Sequence, residues 1–156
     1  MSRNIVKFVK PELIERFLHE CKLTGHNVII TSVDRDYKEQ QALYAQGREQ
    51  IETVNLLRER AGLARIMGTE NAKRVTWTLN SKHIINLDDE NMSNDLSRAF
   101  DFGLLNKEGR YIGDVKADVN NNNIADYLEC ALIGEKLGLK SGRIFSNPDL
   151  PHLEVV

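Results

Sequence analysis

The order of helix-like and strand-like segments along the chain is the feature that most restricts its fold. Apolar residues recur at helical spacing after Pro11, with Gly25 at the far end of the segment, and again over 124–137. Between these segments, 26–34 is short and rich in β-branched residues, and 97–105 has the alternation of a strand. Helices and strands are mixed without a regular strand–helix–strand repeat, which predicts an α+β fold with a small antiparallel sheet flanked by helices.

The remaining segments fit the same architecture. A second helix is predicted over 36–48, because an aspartate can cap its start and strong helix formers follow. Residues 49–72 are charged, with apolar residues at roughly helical spacing, and we interpret them as an inserted helical segment outside the core. Strands are predicted at 73–79 and at 152–156, and a turn is predicted at 106–111.

Length and charge limit the class of protein. A chain of 156 residues is the size of one ordinary domain, so 1–156 is predicted to form a single domain. The formal net charge of -2 provides no basic field for phosphate backbones, which argues against a nucleic-acid partner. Cys21 and Cys130 each lie in a helix-like segment and are predicted to be free, buried thiols.

The N-terminal residues bear on the expected compartment. The stretch MSRNIVKFVKPELIERF has no apolar run long enough for a signal peptide or a membrane span. We therefore expect synthesis in the cytoplasm without membrane insertion. A protein of this kind that acts elsewhere would need another factor for its release.

Two histidines and one aspartate form a candidate metal site. His83 follows a predicted strand and His152 opens the last one, each beside acidic residues. Asp101 lies in the middle of a predicted strand between Phe100 and Phe102, where a buried carboxylate needs a partner. A catalytic zinc takes about three protein ligands of these types and keeps one position for water. By spacing alone, histidines satisfied within a core and a capping aspartate are the more common explanation.

Two carboxylates flank His152. Asp149 lies three residues before it, and Pro151 between them keeps the segment extended or turned. Asp149 can therefore reach over a bound metal without ligating it and serve as general base and acid in hydrolysis. Glu154 shares the face of His152 in a regular strand, which makes it either a rival base or a partner of the metal ligand.

Four blocks of the sequence, in order and over nearly the whole chain, resemble one known family. They are TSVDRDYKEQQALYAQGR at 31–48, KRVTWTLNSKH at 73–83, SRAFDF at 97–102 and DLPHLEV at 149–155. The resemblance is to the VanX/VanY-like zinc peptidases, which include D-alanyl-D-alanine carboxypeptidases and phage L-alanyl-D-glutamate endolysins. It implies a hedgehog/DD-peptidase-like zinc peptidase fold for this chain.

The metal-binding pattern of that family has three parts, SxH, AxD and then DxxH or ExxH. This sequence matches them in order at Ser81 and His83, at Ala99 and Asp101, and at Asp149 and His152. The resemblance implies that His83, Asp101 and His152 bind zinc and that Asp149 is the catalytic carboxylate. One departure is the long segment between the first two ligands, where the family has a short one.

The same resemblance implies three substrate contacts. Arg35 matches the arginine that helps hold the substrate and polarise the scissile carbonyl. A guanidinium suits that task because it stays charged and offers a rigid fork of donors. Gln40 recurs in the same block, although such a position in the second helix is more often a packing or surface position than a substrate contact. Ser81 is expected to hydrogen-bond to the substrate or to support the metal site.

Residues 118–129, DVNNNNIADYLE, form a separate candidate site. Oxygen-bearing side chains occupy the first, third, fifth, ninth and twelfth positions of a calcium loop, at Asp118, Asn120, Asn122, Asp126 and Glu129. Asn123 takes the place of the usual glycine in the sharp turn. A polar loop that caps the following helix is the alternative, and it is favoured because no convincing helix precedes the segment.

The resemblance predicts a zinc-dependent peptidoglycan peptidase, a phage or prophage endolysin that cleaves the L-alanyl-D-glutamate bond of the cell-wall stem peptide. We expect a monomer that reaches the wall after a holin-type partner opens the membrane. The alternative in the same class is a D-alanyl-D-alanine carboxypeptidase or dipeptidase. A noncatalytic binding or virion-structural module on the same fold is the alternative from another class.

Overall fold

A computed structural model describes most of the chain, namely residues 5–76, 82–85 and 96–156. The chain divides into two compact units, Met1–Asp34 with Leu96–Val156, and Arg35–Asp95. The prediction of a single domain over the whole length stays a prediction. Among the residues that the structure describes, no helix combines the length and the apolar character needed to cross a bilayer.

Short helices and strands follow one another in irregular order. In chain order the elements are a 3₁₀ helix (Ile5–Lys7), α1 (Pro11–Leu23), β1 (Asn27–Ser32), β2 (Arg35–Asp36), α2 (Tyr37–Ala45), α3 (Ile51–Arg60), α4 (Gly68–Asn71), β3 (Ile84–Ile85), β4 (Ala99–Leu105), β5 (Tyr111–Ile112), α5 (Asp126–Lys136), β6 (Lys140–Gly142) and β7 (Asp149–Glu154). The strand predicted at 97–105 and the helices predicted after Pro11 and over 124–137 are confirmed as β4, α1 and α5.

The first unit is built on an antiparallel sheet. Within its described residues, five strands form this sheet in the order β1–β4–β7–β6, and β5 pairs with β4. β4 is central, with Ile30 opposite Phe102 on one side and His152 opposite Asp101 on the other. α1 contacts β1, and α5 contacts β6 and β7. The predicted α+β class with a small antiparallel sheet is therefore confirmed.

Helix α1 packs on the core with one apolar face. Pro11 lies in its first turn, where the missing N–H leaves no helical hydrogen bond unmade. Ile14, Phe17 and Cys21 follow at spacings of three and four residues, and all three are fully buried. The predicted face of the helix is the buried one.

Aromatic side chains from four parts of the first unit meet in its core. This cluster consists of Phe8, Phe17, Phe100, Phe102 and Tyr127, each at most 1% exposed. The ring of Phe17 lies 5.6 Å from that of Phe100 and 5.2 Å from that of Phe102, so α1 packs directly on β4. Because successive residues of a strand point to opposite faces, this packing directs Asp101 to the other face of the sheet.

The two cysteines also lie in this core. Cys21 and Cys130 are buried and free, as predicted. A hydrogen bond between their side chains, together with burial, raises the pKa of the Cys130 thiol far above its ordinary range. The thiol therefore stays protonated at neutral pH, which suits a packing role rather than a reactive one.

Helix α5 approaches β7 closely through a glycine. A Cβ atom at Gly134 would lie 2.7 Å from the methyl carbons of Leu153. That distance is shorter than any ordinary carbon–carbon contact, so a larger residue would push the helix away from the strand. Glycine at this position lets α5 support the strand that carries His152.

The second unit is largely helical. α2 packs against α3, and β2 and β3 form a short parallel pair with Arg35 opposite Ile84. The predicted helix at 36–48 is confirmed as α2, and the inserted segment at 49–72 is helical in α3 and α4. The short β2 and β3 strands have no periodicity that a sequence pattern could have detected.

The strand predicted at 73–79 is wrong over 73–76. Two carbonyl groups of that part accept hydrogen bonds from side chains. Gln46 Nε2 donates to the carbonyl of Lys73 at 3.3 Å, and Arg48 Nη1 donates to that of Thr76 at 3.1 Å. The rest of this predicted strand, 77–79, lies outside the described residues.

Candidate metal centre

A carboxylate and an imidazole face each other on the sheet. Asp101 in β4 and His152 in β7 are direct partners in the antiparallel register. Side chains of such partners emerge on the same face with Cβ atoms about 4.5–5.5 Å apart. Asp101 Oδ1 lies 3.2 Å from His152 Nδ1. Two strands of the central sheet, and not a loop, therefore hold these groups together.

The other nitrogen of His152 has a carboxylate partner of its own. Glu154, two residues further along β7, accepts a hydrogen bond from His152 Nε2 at 3.0 Å. The histidine is 7% exposed and the glutamate 5%. A carboxylate in this position fixes the ring orientation and keeps the proton on Nε2, which leaves Nδ1 to face a ligand. The contact favours the role of partner over that of rival base for Glu154.

The surroundings of His152 favour a positive charge. Burial on its own would lower the pKa of the imidazole, but the hydrogen bonds to Asp101 and Glu154 outweigh it and raise the pKa to about 9. The charge of Asp149 acts in the same direction. In the metal-free protein the ring therefore carries a proton at neutral pH, and a bound cation would take the place of the proton on Nδ1.

The three predicted metal ligands are His83, Asp101 and His152, of which His83 belongs to the second unit. His83 is 2% exposed and directly precedes β3. Two imidazoles and one carboxylate are a ligand set of catalytic zinc, which keeps a further position for water or substrate. The donor chemistry of the group therefore fits zinc.

β7 departs from regular pairing next to His152. Ser141 in β6 lies opposite Leu153, but the next residue, Gly142, lies opposite Asp149, so the register shifts between these two residues of β6. Irregularities of this kind turn side chains and are common beside active sites. A Cβ atom at Gly142 would overlap the carbonyl oxygen of Asp149. Only glycine allows β6 to approach the start of β7 so closely.

An aromatic ring covers one side of His152. The ring centroid of Phe145 lies 5.3 Å from that of the imidazole, with 53° between the ring planes. Lys140 Nζ lies 5.5 Å from the centroid of Phe145. Phe145 therefore shields the histidine from water on this side.

The residues predicted to act in catalysis or substrate binding lie in different elements and differ in exposure. Asp149 is exposed at the start of β7, three residues before His152. Arg35 begins β2, and its backbone pairs with that of Ile84. Gln40 is fully buried in α2 and donates to Thr76 Oγ1 at 3.1 Å. Ser81 lies outside the described residues, and the roles of all four stay predictions.

Two residues beside the site were not singled out from the sequence. Gly142 has no motif around it, and only the approach of two strands reveals why it is glycine. Phe145 lies seven residues before His152, a spacing that fits no regular element. Both could have been found only by knowing that β6 pairs with β7.

Comparisons with known proteins find a similar peptidoglycan peptidase. A comparison with models of known protein families finds no match. The chain is similar to the peptidoglycan L-alanyl-D-glutamate endopeptidase CwlK of Bacillus subtilis strain 168, with 30% identity over 133 residues. The aligned part is 85% of this chain and 62% of CwlK, so the chain spans less than two thirds of the length of that relative. The similarity agrees with the peptidase resemblance seen in the sequence blocks.

Proposed function

We propose that this chain is a zinc-dependent peptidoglycan peptidase that cleaves the L-alanyl-D-glutamate bond of the stem peptide. The observation that carries the proposal is the pairing of Asp101 with His152 on the sheet, where Asp101 Oδ1 lies 3.2 Å from His152 Nδ1. The resemblance adds His83 as the third ligand. The hydrogen bond from His152 to Glu154 adds the outer support that zinc-binding histidines usually have. CwlK is named for cleavage of the same bond, which supports this choice of substrate.

The proposed reaction assigns a task to each nearby carboxylate. Zinc bound by the three ligands would polarise the scissile carbonyl and lower the pKa of a bound water. Asp149 takes a proton from the attacking water and passes it to the leaving amine. It is exposed and three residues from His152, and its charge already acts on that ring. Glu154 holds the imidazole so that Nδ1 faces the ligand position.

The substrate of the proposed enzyme is a short peptide with mixed L and D residues. Arg35 would stabilise negative charge on the scissile carbonyl oxygen or bind a carboxylate of the stem peptide. Gln40 and Ser81 are the further proposed contacts. The proposal includes a phage or prophage origin, cytoplasmic synthesis, a monomeric state and a holin-type release partner, all of which rest on the resemblance to phage endolysins.

Metal analysis and wall digestion together test the proposal. We expect the purified chain to carry one zinc, measured by inductively coupled plasma mass spectrometry, and His152→Ala to carry none. Digestion of peptidoglycan should produce new N-terminal glutamate, detected by chemical labelling of free amines. Asp149→Asn should keep the zinc and lose the digestion, whereas Asp114→Asn, which removes the same charge from an exposed residue, should behave as wild type.

Other results would point to the alternatives. Release of D-alanine without new N-terminal glutamate would identify a carboxypeptidase or dipeptidase. A chain without stoichiometric zinc, whose behaviour is unchanged in Asp149→Asn, would be a noncatalytic binding or virion-structural module. Either result would overturn the proposed reaction.

A further inference from the structure

The loop 118–129, which leads into α5, carries a second set of oxygen donors. Asn121 and Asn123 adopt φ angles of +56° and +66°. This left-handed region is one that asparagine tolerates better than most residues. Asn123 therefore makes the sharp turn at the position where calcium loops usually have glycine.

Carboxylates from both ends of the loop point into it. Asp118 accepts hydrogen bonds from the backbone N–H groups of Asn122, at 3.2 Å, and Asn123, at 2.8 Å. Glu129, in the first turn of α5, accepts from the side-chain amides of Asn120, at 3.4 Å, and Asn122. The first, third, fifth and twelfth positions of the motif are thus linked to one another in the folded chain.

Glu129 makes contacts through both of its carboxylate oxygens. The contact with His26 Nε2 involves Oε1, and the contact with the Asn122 amide involves Oε2. Both oxygens of Glu129 are therefore turned toward polar groups, as a bidentate ligand at position twelve requires.

Asp126 provides an independent observation. The residue is 2% exposed, and its Oδ2 accepts a hydrogen bond from the backbone N–H of Val119 in the loop at 3.0 Å. Its Oδ1 is buried and has no hydrogen-bond partner among the described residues. Asp126 lines a cavity of about 230 Å³ together with Asn120 and His26. A buried carboxylate oxygen without a partner is costly, and a cation would satisfy it.

We propose that the loop 118–129 binds one calcium ion. The side-chain ligands are Asp118, Asn120, Asn122, Asp126 and Glu129. Asp126, at position nine of the loop, binds the ion either directly or through a water molecule. The amides of Asn120 and Asn122, which donate to Glu129 in the absence of the ion, turn so that their oxygens face it. Carboxylate and amide oxygens favour a hard cation over zinc, and a loop of this length favours calcium over the smaller magnesium.

Calorimetric titration tests the proposal. The full chain is stripped of metals, loaded with one equivalent of zinc and titrated with calcium chloride. We expect one calcium per chain and an unfolding temperature that rises with calcium concentration. Asp118→Asn and Glu129→Gln each remove one charged ligand and should weaken calcium binding at least about tenfold. Asp114→Asn, an exposed residue just before the loop, is the charge-matched control and should bind as wild type.

The outcomes separate this site from the metal centre on the sheet. Absence of binding at millimolar calcium, or undiminished binding in Asp118→Asn and Glu129→Gln, would overturn the proposal. Binding lost in Asp101→Asn but kept in Asp118→Asn would place the ion at the sheet and would also overturn it. Circular dichroism checks that each variant is folded. If Glu129→Gln does not fold, Asn122→Ala, which changes an exposed residue, takes its place. Because binding is measured, the result does not depend on the proposed peptidase activity.

Discussion

The candidate metal centre on the sheet and the loop 118–129 differ in what holds their donors in place. On the sheet, the ladder between β4 and β7 places Asp101 directly opposite His152. In the loop, the donors are held by hydrogen bonds to one another, such as those from Asn120 and Asn122 to Glu129. A cation at the sheet would replace one proton, whereas a cation in the loop must replace several hydrogen bonds.

This difference separates a site suited to chemistry from one suited to stabilisation. Reaction centres need donors that are fixed before the substrate arrives, and rigid elements provide this better than loops. A loop whose donors rearrange around an ion couples ion binding to local order instead. We therefore expect changes at the sheet to affect turnover most and changes in the loop to affect calcium binding and stability.

The largest effect should come from the carboxylate beside the sheet site. Asp149→Asn keeps the shape of the side chain but removes its capacity to take up a proton, so the rate of new N-terminal glutamate release should fall by about 10²–10⁴-fold. The zinc content should stay at one per chain, because Asp149 is not among the proposed ligands. A fall of less than about tenfold at full zinc content would contradict the assigned role.

The next effect concerns the rigidity of the sheet beside His152. Gly142→Ala places a methyl group against the carbonyl oxygen of Asp149, so β6 must move away from β7. We expect a loss of about 1–3 kcal/mol in the free energy of unfolding, measured with urea. Gly113→Ala is the control, since its added carbon would lie 3.8 Å from the nearest atom of Tyr111. Equal stability of the two variants would show that the close approach does not constrain the strands.

The same contrast explains how much of the fold could be predicted from the sequence. α1 and β4 were predicted because their buried residues recur with the period of one regular element, as Ile14, Phe17 and Cys21 do in α1. β2 and β3 have two residues each, too few to show any period. The strand predicted at 73–79 failed over 73–76 because side chains of Gln46 and Arg48 bind its carbonyl groups.

The site could be predicted only in part for a similar reason. The position of Asp101 between Phe100 and Phe102 indicated a buried carboxylate that needs a partner. In the structure Asp101 is half-buried, and its Oδ1 lies 3.2 Å from His152 Nδ1. Strand period placed Glu154 on the face of His152 but could not choose between base and partner, because that choice depends on a hydrogen bond. The resemblance to known peptidases supplied the chemistry that spacing alone left open.

A smaller effect should follow from the carboxylate behind the ligand. Glu154→Gln removes the charge that orients His152, so zinc affinity should fall by about 10–100-fold in competition with a chelating dye. Glu154→Asp, which keeps the charge, should recover part of this loss. Glu108→Gln, at an exposed turn, is the control and should bind zinc as wild type. Unchanged zinc affinity in Glu154→Gln would show that the charge of Glu154 does not support the metal ligand.

The smallest effect distinguishes the two regions by pH. The folded state raises the pKa of His152 from 6.5 to about 9, so the stabilisation from its proton is complete below about pH 6.5 and is lost as the pH rises through about 9. The pKa of Glu129 is lowered from 4.5, so the stabilisation from its charge is present above that pH and is lost in acid. The two regions therefore lose stability at opposite ends of the pH range.

Thermal unfolding of the metal-free chain over a range of pH measures both the alkaline and the acid loss of stability. Between pH 7 and 9.5 we expect the unfolding temperature to fall by a few degrees, since about 1 kcal/mol corresponds to roughly 2–4 °C in a chain of this size. His152→Asn should remove this alkaline slope and keep the acid one, whereas Glu129→Gln should do the reverse. Zinc should reverse the slope near neutral pH, because it competes with the proton and binds more tightly as the pH rises. An alkaline slope that persists in His152→Asn would mean that another group carries the proton. The inferred protonation of His152 between Asp101 and Glu154 would then be wrong.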